Sequence, residues 1–224
     1  MTTLNQITDW LDRTLDVRSF SDVSNNGVQI ARRGEEVRMV AFAVDASVRA
    51  VKTAAEAGAQ LLVVHHGISW GGGIRRLSGG VYEVVKAAMD ADLALYACHL
   101  PLDANEKYGN NRELARYFGL KDVRKAFSYH GNVIGVTGRN RHGRLIGICS
   151  GGAGEFVEEA KNLGCDLYVT GEASWGDVIA AENCGIEMIC AGHYETEVFG
   201  VRAVSKAMER ALKVKTIDLT EKLR

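Results

Sequence analysis

The chain has few of the features that would point to several common classes of protein. It contains one proline, Pro101, in 224 residues and has no Pro-rich or low-complexity linker. Lys and Arg number 27 against 28 for Asp and Glu, so no overall field favours a polyanion, and nucleic-acid binding is not expected. Every apolar run is far shorter than the about 20 residues that span a bilayer, so no membrane association is expected.

The cysteines give little sign of a disulfide framework. There are five, an odd number, and none forms a C-x-x-C pair. We interpret most of them as small buried residues in a reducing compartment. Leu4, Ile7 and Leu11 have helical spacing without the continuous apolar core of a signal peptide, so we predict a cytoplasmic protein. A Cys98 nucleophile beside His99 is an alternative, although adjacent strand residues point to opposite faces.

Apolar runs of strand length alternate with helical patterns along the chain. Met39 to Val44 predicts a buried strand, residues 46–58 a helix, and Leu61 to Val64 a second buried strand. Continuous Val, Ile and Leu runs are typical of parallel sheets that are covered on both faces. The sequence therefore predicts an α/β fold.

The second half of the chain repeats this order of elements. A strand at 146–149, a glycine-rich turn, a helix and a strand that ends at Thr170 match the first half almost without gaps. Each half later reaches a strand that ends near a histidine, with a carboxylate four residues on. We predict two related α/β lobes, 1–128 and 129–224, from an internal β-α-β-α-β pseudo-repeat, with the C-terminal helix and strand packing back on the first lobe.

Four histidines come at the C-terminal ends of predicted strands, where open α/β sheets place their ligand sites. His65 and His66 are adjacent, so strand geometry predicts that they point to opposite faces and serve different ions. A helix that begins at His193 would bring its ring near Glu197 on the same face. Histidine and carboxylate ligands together suit zinc, iron, manganese or cobalt better than calcium.

Three further segments carry more specific expectations. Ser150-Gly-Gly-Ala-Gly154 could cradle a phosphate, but it lacks a full phosphate-binding motif, and a tight strand-to-helix turn is favoured. The glycines of 70–74 predict a mobile loop after the double histidine. Pro101 predicts an extended Leu100, which argues against a plain helical pair of His99 and Asp103.

Several short motifs together resemble the Nif-three-like dinuclear metal-centre proteins, whose bacterial members are labelled GTP cyclohydrolase 1 type 2 homologs. The motifs are Ser24-Asn-Asn-Gly-Val-Gln29, Val63-Val-His-His-Gly67, His99-Leu-Pro-Leu-Asp-Ala-Asn105, Gly109-Asn-Asn-Arg-Glu-Leu-Ala115, Thr170-Gly-Glu172 and Gly192-His-Tyr-Glu-Thr-Glu197. The resemblance implies two α/β lobes, a dinuclear metal cleft between them and a ring-shaped hexamer. Gly67 stands where the family often has proline, which predicts a looser loop.

The resemblance also implies a ligand set for two divalent transition-metal ions per chain. The positions that match the family motifs are His65, His66, Asp103, His193 and Glu197. His99 comes beside the metals in that pattern, and we interpret it as a catalytic proton-transfer residue.

These residues predict a metal-dependent hydrolase that acts on a small-molecule substrate through a metal-bridging hydroxide, similar to the GTP cyclohydrolase 1 type 2 proteins. A purine nucleotide ring, a phosphoester and an amide are the candidate substrates. The alternative is a non-catalytic metal-storage, metal-delivery or scaffold protein, which the same ligands would serve. A homo-oligomer is expected, with a hexamer implied by the resemblance alone.

Overall fold

The computed structural model describes residues 2–224 and has alternating helices and strands. The helices are α1 Leu4–Leu15, α2 Val48–Glu56, α3 Gly79–Asp90, α4 Leu100–Ala104, α5 Asn110–Tyr117, α6 Val157–Asn162, α7 Trp175–Cys184, α8 His193–Leu212 and α9 Thr220–Leu223. The strands are β1 Thr2–Thr3, β2 Gly27–Ile30, β3 Glu36–Val37, β4 Met39–Asp45, β5 Leu61–His66, β6 Ala94–Ala97, β7 Lys121–Tyr129, β8 Asn132–Arg139, β9 Leu145–Cys149, β10 Leu167–Thr170, β11 Glu187–Cys190 and β12 Lys215–Asp218.

The chain divides into two compact units, one made of residues 1–102 with 201–224 and the other of residues 103–200. The boundary at 128/129 that the sequence predicts lies within β7, which belongs to the second unit. His130 and Gly131 both have positive φ, as the central residues of tight hairpin turns do. This turn therefore joins two strands of one sheet, and a turn signal alone cannot distinguish that role from a domain boundary.

The first unit is built on a five-stranded sheet with the order β12-β4-β5-β6-β2. The pairs of β12 with β4, β4 with β5 and β5 with β6 are parallel, whereas β2 pairs antiparallel with β6. Val51 of α2 and Val84 of α3 pack in one buried cluster with Leu62 and Leu95 of the sheet. This cluster holds alternate residues of β4 and β5, and Phe42 and Leu61, which face the other side of the sheet, are also fully buried. Burial on both faces explains the continuous apolar runs of these two strands. The C-terminal strand returns to this sheet.

The second unit is built on a sheet with the order β11-β10-β9-β8-β7. Strands β9, β10 and β11 are mutually parallel, and β8 and β7 extend the sheet as an antiparallel hairpin. Leu114 of α5 packs against Ile146 and Ile148 of β9 in a buried cluster. Strand β11 has a partner on one side only, so it is an edge of this sheet.

The predicted α/β fold and its internal repeat are confirmed. The runs β4-α2-β5-α3-β6 and β9-α6-β10-α7-β11 have the same element order, and the three strands of each run are parallel neighbours in sequence order. Because the carboxyl ends of parallel strands meet at one edge of a sheet, each run gathers the residues that follow its strands. No helix in 2–224 is long and apolar enough to cross a bilayer.

The expectation of an extended Leu100 is wrong. Leu100 is the first residue of α4, and Pro101 lies in the first turn of that helix. Proline is tolerated there because the first N–H groups of a helix have no intrahelical acceptor. The short helix begins directly after His99.

Candidate metal centre

Three histidines come together in the first unit. His65 and His66 are the last residues of β5, and His99 follows β6, the parallel neighbour of β5. The ring centroids lie 4.5 Å apart for His65 and His66, 5.1 Å for His65 and His99, and 5.7 Å for His66 and His99. One ring nitrogen from each lies within 4.8 Å of the others, a spacing that could hold a metal ion.

Strand alternation does not keep the first two rings apart, and the prediction that His65 and His66 serve different ions stays a prediction. His65 is fully buried and His66 is partly exposed, as alternation requires, yet their rings are neighbours. Alternation fixes the directions of the Cβ atoms. At the last two residues of a strand, rotation about χ1 and χ2 can bring two such rings together.

Oxygen acceptors hold the Nδ1 atom of both strand-end histidines. His65 Nδ1 lies 3.0 Å from the carbonyl oxygen of Cys98, and His66 Nδ1 lies 2.8 Å from Oδ1 of Asp45. Each acceptor requires a proton on Nδ1, which makes Nε2 the nitrogen with the lone pair in a neutral ring. The Cys98 side chain itself is fully buried, which does not suit a reactive nucleophile.

The buried carboxylate of Asp22 holds His99. Its Oδ1 lies 2.9 Å from His99 Nδ1 and 3.0 Å from the Ser24 N–H, and its Oδ2 accepts from Asn26 Nδ2 and the Leu100 N–H, each at 2.9 Å. Burial alone raises the pKa of Asp22, but the hydrogen bonds outweigh it and hold this pKa at about 2. Asp22 is therefore ionised at neutral pH.

The segment after the double histidine is attached at its start. Gln29 accepts from the Ile68 and Ser69 N–H groups at 2.6 and 3.1 Å, so its side chain offsets the looseness that Gly67 predicts. A Cβ at Gly67 would lie 2.2 Å from the Gln29 amide oxygen and 2.6 Å from the Ala97 Cβ. The side chain of Gln29 thus occupies the space that glycine leaves.

Trp70 packs edge-on to the His99 ring at 5.1 Å, and its indole N–H donates to the Gly67 carbonyl at 3.0 Å. Its backbone forms a bridge with Ser24. From Gly71 to Gly80 the segment is mostly exposed. The mobility predicted for this loop stays a prediction.

In the second unit, His193 and Glu197 form the expected helical pair at the start of α8. His193 Nε2 lies 3.1 Å from Glu197 Oε1, and His193 Nδ1 lies 2.9 Å from Glu172 Oε1. The hydrogen bond to Glu197 raises the pKa of His193 to about 9, with Glu172 adding to the effect and burial opposing it. Protons and metal ions would therefore compete for this ring.

Gly151 allows the chain to pass next to this pair. A Cβ at Gly151, whose φ is +70°, would lie 2.4 Å from Glu197 Oε1 and 3.3 Å from His193 Nε2. Neighbouring backbone N–H groups have internal acceptors, because Gly151 donates to Thr196 Oγ1 at 3.0 Å and Ala153 donates to Thr170 Oγ1 at 3.2 Å. The glycine-rich segment is thus a tight turn, as favoured, and these N–H groups are not directed at a phosphate.

Asp103 is buried in the second unit, and one of its oxygens is held by two donors. Asn110 Nδ2 and Ser150 Oγ both donate to Oδ1, at 2.8 and 2.9 Å. Asn110 in turn accepts from the Gly200 N–H at 2.6 Å, and Asn111 accepts from the Ser150 N–H at 2.7 Å. These contacts fix the orientation of the Asp103 carboxylate.

The donor set fits a borderline transition metal. In the first unit, His65, His66 and His99 form a group that could hold an ion, and in the second unit His193 lies beside Glu197. Imidazole nitrogens with a few carboxylate oxygens suit zinc, iron, manganese or cobalt, whereas calcium and magnesium prefer oxygen alone. An α/β protein with such groupings at its strand ends is a candidate metal-binding protein.

Comparison with known proteins gives the family. The family model for Duf34/NIF3 (NGG1p interacting factor 3) matches residues 2–142 and 124–222, so the chain belongs to the DUF34/NIF3 family. It is 36% identical to a protein of Deinococcus radiodurans named GTP cyclohydrolase 1 type 2 homolog, over 92% of this chain and 88% of that one.

Solved structures agree with this assignment. Protein ybgI, described as of unknown function, has a TM-score of 0.90 at 26% identity, with 97% of this chain and 98% of that chain covered. The protein TTHA1606 from Thermus thermophilus has a TM-score of 0.85 at 28% identity, with 97% of each chain covered.

Sequence reasoning missed the residues that hold the candidate ligands in place. Asp22, Asp45 and Glu172 accept hydrogen bonds from three of the histidines, and Asn110 and Ser150 hold Asp103. Asp45 and Glu172 follow predicted strands, a position that could have identified them. Asp22 gives no comparable signal, because it comes 77 positions before its histidine.

Proposed function

We propose that this chain binds two divalent transition-metal ions and is a metal-dependent hydrolase. The proposed ligands are His65, His66, Asp103, His193 and Glu197. The observation that carries the proposal is the group of His65, His66 and His99, whose ring nitrogens lie within 4.8 Å of one another.

Each proposed residue has a role that its local geometry supports. Glu197 is almost fully buried beside His193, and a carboxylate with two oxygens can serve two cations. Asp103 is buried and its carboxylate is held by Asn110 and Ser150, so it would offer an oxygen in a fixed orientation. His99 is held by Asp22 and would move a proton to or from the substrate through Nε2. Two such ions, when bound, lower the pKa of a water toward neutrality and polarise the substrate oxygen.

The exposure of the ligands favours catalysis over storage. The side chains of His66 and His193 are 21% and 37% exposed, whereas His65, Asp103 and Glu197 are buried. Structural metal sites close their coordination shell, and catalytic sites keep a position open to substrate. A non-catalytic metal-storage, metal-delivery or scaffold role is the second candidate, and the same ligands would serve it.

The substrate class that we propose is a small molecule with a hydrolysable ring, phosphoester or amide bond. The name of the relatives, GTP cyclohydrolase 1 type 2 homolog, places a purine nucleotide first among the compounds to test. We also propose a homo-oligomer, with a hexamer favoured by the family resemblance. The 76% exposed Trp175 is suited to an interface, and light scattering that finds a stable monomer at micromolar concentration would refute the oligomer.

Elemental analysis of protein purified without chelator tests the metal proposal. We expect about two transition-metal ions per chain, as the two-metal chemistry requires. Glu197→Gln should lower occupancy of both ions, because one neutral amide oxygen cannot replace a carboxylate that two cations share. The control is Glu209→Gln, the same substitution at an exposed position of α8. Loss of one ion only would exclude the shared role of Glu197.

Turnover is tested separately. Metal-loaded protein is incubated with purine nucleotides, phosphoesters and amides, and the products are followed by chromatography. Two bound ions without turnover of any compound would favour storage or delivery over hydrolysis.

A further inference from the structure

All four histidines of the candidate site have the same kind of Nδ1 contact. The acceptor oxygen lies between 2.8 and 3.0 Å from Nδ1 in every case. The acceptor is a backbone carbonyl for His65 and a carboxylate for the other three. Neither a carbonyl nor an ionised carboxylate can donate, so Nδ1 must carry the proton.

The three carboxylates differ strongly in exposure. The Asp22 side chain is 2% exposed, whereas those of Asp45 and Glu172 are 55% and 64% exposed. Asp22 has four donors, and two of them, the His99 ring and the Leu100 N–H, lie on consecutive residues. Asn26, which also donates to Asp22, accepts from the His99 N–H at 2.8 Å. The segment from Asp22 to Asn26 therefore fixes both the backbone and the ring of His99.

We propose that Asp22, Asp45 and Glu172 are positioning residues. Each accepts the Nδ1 proton of one histidine and fixes the plane of its ring. For a neutral His66 or His99 ring, this contact also selects the tautomer in which Nε2 carries the lone pair. For Asp45 and Glu172 the consequence is metal affinity, and this part rests on the proposed function. For Asp22 the consequence is the orientation of His99, which requires no bound metal.

The energetic reason is the same for Asp22 and Asp45. A neutral imidazole in water populates both tautomers, and only one of them offers Nε2 to an ion or a substrate proton. A fixed acceptor on Nδ1 selects that tautomer, locks the ring plane and makes Nε2 more basic. Loss of such a partner lowers metal affinity by about 10–100-fold in known metal sites.

The first experiment measures the tautomers in metal-free protein. Chelator-treated protein with ¹⁵N-labelled histidine is studied by long-range ¹H–¹⁵N NMR at pH 8, above the ordinary histidine pKa of about 6.5. We expect His66 and His99 to show protonated Nδ1 and unprotonated Nε2. His193 is not used, because its Nε2 also contacts Glu197.

Matched variants make this test specific. Asp22→Asn replaces one acceptor oxygen by an N–H₂ group, so the single oxygen that remains cannot accept from all four donors. The His99 pattern should therefore shift towards the other tautomer, while His66 keeps its pattern. Asp45→Asn should do the reverse. In each variant, the histidine that keeps its pattern shows that the protein is folded. Unchanged patterns in both variants would overturn the proposal.

The second experiment measures metal affinity by competition with a chelator. Asp45→Asn should weaken zinc binding by about 10–100-fold. The control is Asp92→Asn, which alters a carboxylate that accepts from Arg32 and the Arg33 N–H in the same unit. Wild-type affinity in Asp45→Asn would overturn the metal part. If wild-type protein itself binds no metal, the proposed function fails, and the tautomer experiment still decides the positioning role.

Discussion

The two β-α-β-α-β runs each place a histidine after their third strand, in different surroundings. His99 comes shortly after β6 and His193 shortly after β11, although the strand ladders align His99 with Gly192, the residue before His193. Both rings direct Nδ1 to a carboxylate at 2.9 Å, but Asp22 is 2% exposed and Glu172 is 64% exposed. The repeat thus brings a histidine to this end of each run without conserving its exact position or its environment.

The neighbours of each strand explain this difference. Strand β6 lies inside its sheet, with β2 on its outer side, and the segment that leads into β2 carries Asp22. Strand β11 is an edge strand, so no added strand brings a buried partner to His193. The presence of β2 beside β6 therefore determines how tightly His99 is held.

The second strands of the two runs also end differently. Val64 of β5 and Thr170 of β10 occupy the same place in their ladders, which makes His65 correspond to Gly171 and His66 to Glu172. His66 contacts the side chain of Asp45, whereas the Glu172 backbone N–H donates to the Gly151 carbonyl at 3.0 Å. One scaffold thus supplies imidazoles in one run and a carboxylate in the other.

The largest effect that we expect comes from His99→Ala. If His99 and His193 have different roles, His99→Ala should leave both ions bound. The hydrolytic rate should then fall by about 10²–10⁴-fold, as it does on loss of a proton-transfer group. His193→Ala should instead lose metal. Elemental analysis and initial rates on both variants make the comparison. Loss of an ion in His99→Ala would show that His99, like His193, is a metal ligand.

Gly171→Ala should destabilise the second unit by about 1–3 kcal/mol, the usual cost of overpacking. The new Cβ would lie 2.6 Å from the Gly151 carbonyl oxygen and 2.8 Å from the His193 Cα, and neither backbone atom can rotate away. The first run has His65 at this position, so the restriction is specific to the second run.

Urea unfolding measures this effect, and Gly176→Ala is the control. Gly176 lies in α7, where the nearest atom to a new Cβ is the Ser174 hydroxyl at 3.6 Å, so alanine should be neutral or stabilising. Equal stability of Gly171→Ala and wild type would mean that the backbone contact relaxes at no cost.

The elements of the two runs were predictable because their signals are local. Continuous apolar residues in 39–44 and 61–64 reflect strands buried on both faces, and the repeated order of elements led to strand ends that carry histidines. Once the strands are located, the residues at their carboxyl ends can be read directly from the sequence. The strand ends marked the histidines as candidates, whereas the ligand set was implied by the family resemblance and stays a prediction.

What the sequence did not reveal depends on contacts between distant segments. The hydrogen bonds from His99 Nδ1 to Asp22 and from the Gly200 N–H to Asn110 join residues that are 77 and 90 positions apart in the chain. No propensity or periodicity records such a contact. The prediction of an extended Leu100 was wrong because proline only disfavours a helical conformation in the residue before it. The first turn of α4 overrides that preference.

The smallest effect that we expect is an acid-dependent loss of stability that Asp22 controls. Its pKa is lowered from 3.8 to about 2, so its hydrogen bonds stabilise the folded state fully above pH 3.8, and this contribution is lost as the pH falls towards 2. In urea unfolding of metal-free protein, the stability difference between wild type and Asp22→Asn should be constant above about pH 5 and shrink between pH 4 and 2. Glu172→Gln should cost less at neutral pH, because an exposed carboxylate exchanges its hydrogen bond for one with water. If the stability difference between wild type and Asp22→Asn stays constant down to pH 2.5, the pKa of Asp22 is not lowered. That result would also contradict the contrast between Asp22, the buried partner of His99, and Glu172, the exposed partner of His193.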